Sequence, residues 1–402
     1  MTRSLKTTLI ILLSSQVLFA QQKQKLVLRS NTNKVSIKEG NSTYRDQWTL
    51  SPELKPDVFV ANPIVKTQEI VFFSEIDTLS FNVRVNERYD FVIVNGKDSA
   101  HTQISTYTNE KPTLRPKLSY RKTKNQEGQP DTLHFRLGQD NFIHLKGRIN
   151  GSDSLDFIFD TGAGISALTS SLLNDKVKLD IDHRVKNQGA DGVSMVNQSL
   201  KNSIGLQGIT LENVPLLLID YKGFSFDVVL GWVAFEDKIV EIDYDKKLLI
   251  IHSQLPYLDQ DYSKLDLKLL NGIPYIKCTL VVGQKDYEGW FDLDTGSDGT
   301  LTISQKFAGN NQLNEKMKKL GTSSSRGSAG VAFSQQRVNL PKLKIGNYVL
   351  YQIPMNINDT DPKGMEHQEN IGNKLLKRFN SVIDFKNNQV YIKPNSLWYT
   401  VM

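Results

Sequence analysis

The sequence predicts a mainly β protein whose larger, C-terminal part is built from two similar halves. Short runs of alternating apolar and polar residues recur along the chain, and stretches with helical spacing are brief. The phrase Asp-Thr-Gly occurs twice, at 160–162 and 294–296, each time directly after an apolar run. The segments that follow the two copies also match, which indicates an internal repeat and hence two lobes of related fold.

The first twenty residues have the features of a secretory signal peptide. Arg3 and Lys6 precede the apolar run 9–13, and the small residue Ala20 stands just before Gln21. We therefore expect an exported protein, periplasmic or secreted, with cleavage near Ala20. The alternative is a retained anchor, but the apolar run is short and interrupted, so we expect no stable membrane insertion once the signal is removed.

The region before the repeat is predicted to form a domain of its own. Residues 21–107 contain short alternating runs such as 79–85 and 91–94, with the hairpin turn Asn95-Gly96 after the second, which favours a small β-sandwich. Residues 108–131 are polar and include three prolines, a composition typical of a linker.

Composition limits the class of protein. The chain has 402 residues, of which 39% are hydrophobic and 23% charged, enough for two or three folded domains. Its single cysteine, Cys278, excludes an internal disulfide. The six histidines are scattered, and basic residues are not interleaved with aromatic ones. We therefore expect no metal, no other cofactor and no nucleic-acid partner.

The repeat extends well beyond the two Asp-Thr-Gly phrases. Each is followed by an apolar segment that ends in glycine, Val228–Gly231 in the first half and Asn370–Gly372 in the second. The same number of residues then separates Gly231 from Asp243 and Gly372 from Asp384. We place the first lobe at 132–256 and the second at 257–402. Short helices are expected at 165–173, 230–236 and 374–379.

This arrangement resembles the retropepsin-like and pepsin-like aspartic proteases over residues 132–396, most closely bacterial two-lobed members with an added N-terminal domain. The resemblance implies a bilobal pair of β-barrels with Asp160 and Asp294 facing each other as the catalytic dyad. Two close carboxyls share one proton and can activate water against a peptide bond. The resemblance also implies a set of residues that support the catalytic loops: Thr161, Gly162, Thr295, Gly296, Ser297, Gly231 and Gly372.

Two glycine-rich stretches, 189–193 and 323–330, are candidate hairpin tips that cover the cleft. The alternative for each is an ordinary surface turn. On the first stretch, Gly189, Asp191 and Gly192 are candidates to bind substrate. Asp298 is a further candidate, because retroviral members of the family commonly carry a substrate-binding aspartate at this place.

The two halves differ at positions close to the expected dyad. Ser297 follows the second Asp-Thr-Gly where the first has Ala163, and a hydroxyl can favour the charged form of a carboxyl, so we expect Asp294 to be the ionised member. Asp292 stands where the first half has Ile158. It either perturbs the dyad or meets a solvated edge, and the second interpretation is favoured here.

Two weaker motifs offer other functions. Gly162-x-Gly164-x-x-Ala167 matches a dinucleotide-binding fingerprint, although only in one half. Asp359, Asp361 and Gly364 hint at a calcium loop, for which a plain acidic turn is the favoured interpretation.

The sequence therefore predicts a secreted aspartic endopeptidase that acts on polypeptides. Because both halves lie in one chain, a monomer is sufficient to form its active site. The alternative is a secreted peptide-binding or scaffold protein that keeps the fold without turnover.

Overall fold

The computed structural model describes residues 26–32, 34–39, 42–49, 57–61, 67–106, 119–122, 129–221, 223–361 and 369–402. The predicted signal peptide lies outside these ranges. Within them the chain is mainly β, as expected. None of the helices in these ranges is long and apolar enough to span a bilayer.

The N-terminal domain consists of two four-stranded sheets. Their orders are β1-β7-β8-β4 and β3-β2-β5-β6. Apolar side chains of both sheets form one buried cluster, in which the rings of Phe72 and Phe91 are 4.8 Å apart. The two sheets thus pack on each other in a sandwich-like arrangement. The strands are β1 Leu26–Ser30, β2 Lys34–Glu39, β3 Ser42–Thr49, β4 Asp57–Val60, β5 Thr67–Phe73, β6 Thr78–Arg84, β7 Arg88–Asn95 and β8 Asp98–Ser105.

The first lobe is a closed barrel of six strands in the order β12-β13-β18-β14-β17-β16, with β16 returning to β12. Strand β15 forms a hairpin with β16 that extends from the barrel. Part of the expected linker, β9, pairs with β17. The strands are β9 Ser119–Lys122, β10 Asp131–His134, β11 Arg136–Leu137, β12 Ile143–Ile149, β13 Leu155–Asp160, β14 Ser166–Thr169, β15 His183–Gly189, β16 Gly192–Leu206, β17 Ile209–Ile219 and β18 Val228–Gly231.

The second lobe repeats this barrel in the order β22-β23-β28-β24-β27-β26, and β25 forms the matching hairpin with β26. Strands β19 Ile239–Asp243 and β20 Leu248–His252 belong to the first half of the repeat. The strands of the second half are β21 Ser263–Leu270, β22 Ile273–Val282, β23 Lys285–Asp294, β24 Leu301–Ile303, β25 Lys318–Arg326, β26 Ala332–Ile345, β27 Tyr348–Asn358, β28 Asn370–Gly372, β29 Phe379–Asp384 and β30 Gln389–Pro394.

A third sheet joins the lobes, in the order β10-β20-β19-β29-β30-β21. At its centre Glu241 pairs with Val382, and each of these residues lies two positions before the Asp of its own repeat, Asp243 or Asp384. Equivalent residues therefore face each other across a pseudo-twofold axis. The N-terminal domain is attached to the same part of the molecule, because β3 pairs in parallel with β21.

Helices are few and short: 3-10 turns at Ser170–Leu172 and Trp232–Phe235, and α-helices α1 Gln305–Asn310 and α2 Asn373–Leu376. The second and third predicted helices are in the expected places, although shorter. The first, over 165–173, was mostly wrong: Ser166–Thr169 forms β14 because strands pair with it on both sides. Tertiary pairing there outweighs local spacing.

Candidate active site

Each catalytic aspartate predicted from the sequence is the last residue of a buried barrel strand. Asp160 ends β13 and Asp294 ends β23. The side chains of Phe159 and Leu293, directly before them, are buried in the apolar core. Because neighbouring side chains on a strand point to opposite faces, the carboxyl groups turn away from that core. Strand anchoring thus fixes two carboxyls at the ends of two barrels.

The threonines that follow the aspartates hold the two loops together. The amide of Thr161 donates to Oγ1 of Thr295 at 3.0 Å, and the amide of Thr295 donates to Oγ1 of Thr161 at 3.0 Å. Each hydroxyl also donates to the carbonyl before the opposite aspartate: Thr295 to Phe159 at 2.8 Å, and Thr161 to Leu293. Both threonines are buried. Their four bonds fix the distance between the loops.

This arrangement brings the two carboxyl groups into hydrogen-bonding reach of each other. Each also accepts a bond from the glycine amide of its own loop, at 2.8 Å for Gly162 and 2.9 Å for Gly296. Neither glycine tolerates a side chain, because a Cβ on Gly162 would lie 2.7 Å from the Asp294 carboxyl and one on Gly296 would overlap the Asp160 carboxyl. The glycines are needed for the close approach of the carboxyls.

The glycines that end β18 and β28 lie beside the catalytic loops. Gly231 pairs with Asp160, and Gly372 pairs with Asp294. A Cβ on Gly231 would lie 2.6 Å from the carbonyl oxygen of Ala163, and one on Gly372 would overlap the carbonyl oxygen of Gly299. The supporting role that the resemblance implied for these positions therefore has a steric basis here.

The dyad is electrostatically asymmetric. Burial, the neighbouring Asp294 carboxyl and the hydrogen bond between the two hold the pKa of Asp160 well above its ordinary value. Burial also raises the pKa of Asp294, but bonds from Asp160, from Nδ2 of Asn370 at 2.5 Å and from backbone amides oppose the rise. The pKa of Asp160 is thus held further above its ordinary value than the pKa of Asp294.

The direction of this asymmetry is the expected one, but its cause is not the Ser297 hydroxyl. The amide of Ser297 supports Asp294, whereas its Oγ accepts a bond from the amide of Gly299 at 3.4 Å. The side-chain donor is Asn370, the first residue of β28. The register of β23 with β28, which pairs Asp292 with Asn370, brings the amide within reach.

Asp292 does not meet a solvated edge, and the favoured interpretation was wrong. Its Oδ1 is buried and has no hydrogen-bond partner in the described structure. Burial, together with the charges of Asp294 and Asp160, holds the pKa of the Asp292 carboxyl well above its ordinary value. The strand ends beneath the paired loops, so the position two residues before Asp294 is enclosed with the dyad.

The two glycine-rich stretches are hairpin tips, and they meet each other. Asp191, at the tip between β15 and β16, accepts bonds from the amides of Ala329 at 2.9 Å and Val331 at 2.7 Å. Nδ2 of Asn187 donates to the carbonyl of Ser328 at 3.2 Å. Asp191 is 5% exposed and is therefore engaged by the other hairpin, not open to substrate. The same tip contains Gly192, whose φ of +129° suits a residue without a side chain.

Gly189 and Gly327 allow the tips to pack closely. A Cβ on Gly189 would overlap Oγ of Ser328, and one on Gly327 would lie 2.7 Å from Oδ1 of Asp191. Burial raises the pKa of the Tyr221 hydroxyl, and the nearby carboxyls of Asp160 and Asp191 add to the rise. The tips therefore lie on the same side of the molecule as the catalytic carboxyls.

Asp298 lies at the junction of the lobes. Its carbonyl accepts a bond from Nδ2 of Asn141 at 3.3 Å, and Nζ of Lys377 in turn donates to Asn141 at 2.8 Å. Burial raises the pKa of the Asp298 carboxyl. Among the described residues its side chain has no hydrogen bond to the dyad or to either hairpin tip, so its predicted role in substrate binding stays a prediction.

Sequence reasoning missed an aromatic cluster on the first-lobe side of the cleft. The rings of Tyr221, Phe224 and Phe226 are 5.2–5.7 Å apart, and the guanidinium of Arg326 lies 4.9 Å from the Phe224 ring. The only available signal was the density of aromatic residues at 221–226. It was weak, because these residues lie in a loop with no periodic pattern.

The two competing motifs have other structural roles. The segment after Gly164 continues as strand β14, so the helix that a dinucleotide site requires is absent there. The Asp361 carboxylate accepts bonds from the amides of Gln305 at 2.7 Å and Lys306 at 2.8 Å, and so caps α1. Gly364 lies outside the described residues.

Comparison with known proteins agrees with this geometry. Residues 145–233 match the family model described as aspartyl protease. The matched segment contains Asp160 and Gly231, and it supports placing the chain in an aspartyl protease family. The match ends before the second lobe. The similarity of the second lobe to the first is shown by their barrels, which have the same strand order. No curated protein matches the chain.

Proposed function

We propose that the protein is an exported aspartic endopeptidase that hydrolyses peptide bonds with water activated by Asp160 and Asp294. The observation that carries the proposal is the reciprocal bonding of Thr161 and Thr295, which supports a dyad built from both halves of one chain. The leader at residues 1–20 supports export.

The chemistry follows from the asymmetry of the dyad. Ionised Asp294 removes a proton from a water molecule as the water attacks the substrate carbonyl carbon, and protonated Asp160 donates a hydrogen bond to the carbonyl oxygen. The carbonyl oxygen takes the proton of Asp160 during the attack, which gives a neutral tetrahedral diol. When the C–N bond cleaves, the leaving nitrogen receives the proton held by Asp294, and a diol hydroxyl returns a proton to Asp160. No covalent intermediate with the protein is needed.

The hairpins supply the cover that this reaction requires. With their tips joined through Asp191, they would cover the cleft at the dyad and limit the entry of bulk water. An extended peptide between hairpins and dyad would present its backbone to hairpin strands β15, β16, β25 and β26. Substrate entry requires the tips to separate.

The test is cleavage of a denatured protein in acid. The wild-type chain should cleave it, and a statine-type inhibitor should block the cleavage. Asp160→Asn and Asp294→Asn should each reduce kcat by at least about 100-fold, whereas Asp175→Asn, on the surface, should not. Cleavage that survives either dyad substitution contradicts the proposal, and peptide binding without cleavage by the wild type supports the non-catalytic alternative.

A further inference from the structure

The faces that the two lobes turn toward the cleft differ in chemistry. In the first lobe, one row across four strands is apolar and belongs to a buried cluster with the aromatic loop at 221–226. Its members are Ile158, Val229, Ala167 and Leu217. In the second lobe, the equivalent row is polar throughout. Its members are Asp292, Asn370, Thr302 and Asn356.

Most of the polar groups around the second row already have partners within the protein. Asn370 donates to Asp294 at 2.5 Å, and Ser323 on the hairpin donates to Asn356 at 3.2 Å. On the adjoining strands, Gln335 donates to Asn358 at 2.9 Å. These bonds hold the row in place and leave little hydrogen-bonding capacity to spare.

Asp292 is the exception. Its Oδ1 is buried beside the dyad without a donor, although carboxyl oxygens in such surroundings nearly always have one. An unsatisfied buried acceptor costs free energy, and that cost is recovered when a donor arrives. A cationic donor recovers more than a neutral one, because it also stabilises the charged carboxylate that burial otherwise disfavours. Because the carboxyl lies on the same strand face as Asp294, two residues away, a donor that reaches it would come from a substrate residue close to the scissile bond.

We propose that Asp292 is a specificity-determining residue that selects a basic side chain, lysine or arginine, next to the scissile bond on the second-lobe side. The partly exposed aromatic rings that pack on the apolar row of the first lobe, Tyr221 and Phe224, contact a large apolar side chain on the other side of that bond. This inference rests on the proposed function and names its substrate class: peptides with an apolar residue and a basic residue flanking the cleaved bond.

The experiment uses the full chain and matched internally quenched peptides. Each peptide has leucine on one side of the scissile bond and lysine or norleucine on the other, in both orders. Norleucine keeps the apolar stem of lysine and lacks its ammonium group. For the wild type, kcat/KM in one order should favour lysine by at least about tenfold, because the buried acceptor is left unpaired by norleucine.

Two variants test whether Asp292 is responsible. Asp292→Ile, which installs the first-lobe residue, should reverse the preference in favour of norleucine. Asp292→Asn keeps the size of the side chain and should reduce the preference to near unity, which keeps the test informative if the isoleucine variant fails to fold. Asp286→Asn, at an exposed position of the same strand, should keep the wild-type ratio.

The outcomes separate this inference from the proposed function. If the wild type cleaves both peptides equally, the protease assignment stands and the inference is overturned. The same applies if a folded Asp292→Asn keeps the lysine preference, or if it loses cleavage of both peptides alike, since Asp292 would then act on the chemistry. If no peptide is cleaved by the wild type but the peptides bind, the proposed function itself fails.

Discussion

At the scale of single residues, the site depends on a few buried hydrogen bonds that cross between the lobes. The hydroxyl of each loop threonine accepts a hydrogen bond from one amide of the opposite loop and donates one to a carbonyl of that loop. Because water is excluded from Thr161 and Thr295, a group that loses its partner there has no replacement. These bonds set the separation of the carboxyls, on which their shared proton depends.

Thr295→Val should therefore destabilise the protein by about 1–3 kcal/mol, since it leaves the amide of Thr161 and the carbonyl of Phe159 unsatisfied. It should also reduce kcat, because the loops are no longer held in register. Urea unfolding and peptide cleavage measure the two effects. Thr322→Val, on an exposed strand, should change neither, and an unaffected Thr295→Val would show that the bonds are not needed.

Asn370→Val should shift the acid limb of the pH–rate profile to higher pH. The hydrogen bond from the side-chain amide of Asn370 to Oδ2 stabilises the ionised form of Asp294. Without this bond the pKa of Asp294 rises, and the carboxyl becomes protonated at a higher pH. Ser297→Ala should cause a smaller shift, because the side chain of Ser297 does not donate to the dyad. A larger shift for Ser297→Ala than for Asn370→Val would show that the Ser297 hydroxyl, and not Asn370, causes the asymmetry of the dyad.

At the scale of elements, buried hydrogen bonds to carboxylates also hold a hairpin tip and a loop of the first lobe in place. The β15–β16 hairpin caps two amides of the opposite hairpin through Asp191. Strand β12 carries buried His144, whose Nδ1 is 2.9 Å from Oδ1 of Asp156 and whose Nε2 is 3.1 Å from Oδ1 of Asp140. The first contact joins the two hairpin tips, and the second holds the loop that reaches the other lobe through Asn141.

Asp191→Ala should weaken closure of the hairpins. The amides of Ala329 and Val331 lose their acceptor, so their hydrogen exchange should become faster and the KM for an extended peptide should rise. Asp180→Ala, exposed on the same lobe, serves as the control. Unchanged exchange at both amides would mean that the tips are held together by other contacts.

His144 should make stability depend on pH. Burial alone would lower the pKa of His144, but the bonds to Asp156 and Asp140 outweigh it and raise that pKa above 6.5. The protonated ring therefore stabilises the fold fully below the unfolded-state value, and this contribution is lost as the pH rises through the folded-state pKa.

The His144→Gln variant should accordingly lose less stability than the wild type between about pH 6 and pH 9. The free energy of unfolding, measured in urea across that range, tests this. His134→Gln, at an exposed position, should follow the wild-type curve. Parallel curves for wild type and His144→Gln would show that the ring does not titrate as proposed.

At the scale of the whole molecule, duplication places a complete dyad within one chain. The central sheet pairs equivalent strands β19 and β29, so the barrels face each other without a second subunit. Mixing Asp160→Asn chains with Asp294→Asn chains should therefore restore no activity, since every chain still lacks one catalytic carboxyl. Recovery of cleavage in the mixture, assayed over a range of protein concentrations, would show that sites are assembled between chains.

Much of this architecture could be predicted because short sequence segments define the features of each repeat. A strand, a turn glycine and a second glycine that permits close approach are each encoded within a few residues, so Asp160, Asp294 and Gly231 could be placed without a structure. The hairpin tips could also be located from their glycines. Their mutual contact could not, because Asp191 and Val331 meet only through the arrangement of the two lobes.

The errors share one physical reason, which is that burial and register are tertiary properties. Asp292 was assigned to solvent on residue type alone, whereas β23 ends inside the cleft. Asn370 lies within reach of Asp294 because β28 pairs in parallel with β23, which spacing along the chain does not reveal. The segment Ser166–Thr169 became a strand because β17 and β18 flank it.

The most direct test of the central claim is a crystal structure of the chain with a statine-type peptide bound. The account predicts that the inhibitor hydroxyl lies within about 3 Å of a carboxyl oxygen of Asp160 and of Asp294 at once, beneath the two hairpin tips. A hydroxyl bound to only one of these carboxyls, or an inhibitor seated away from both, would contradict it.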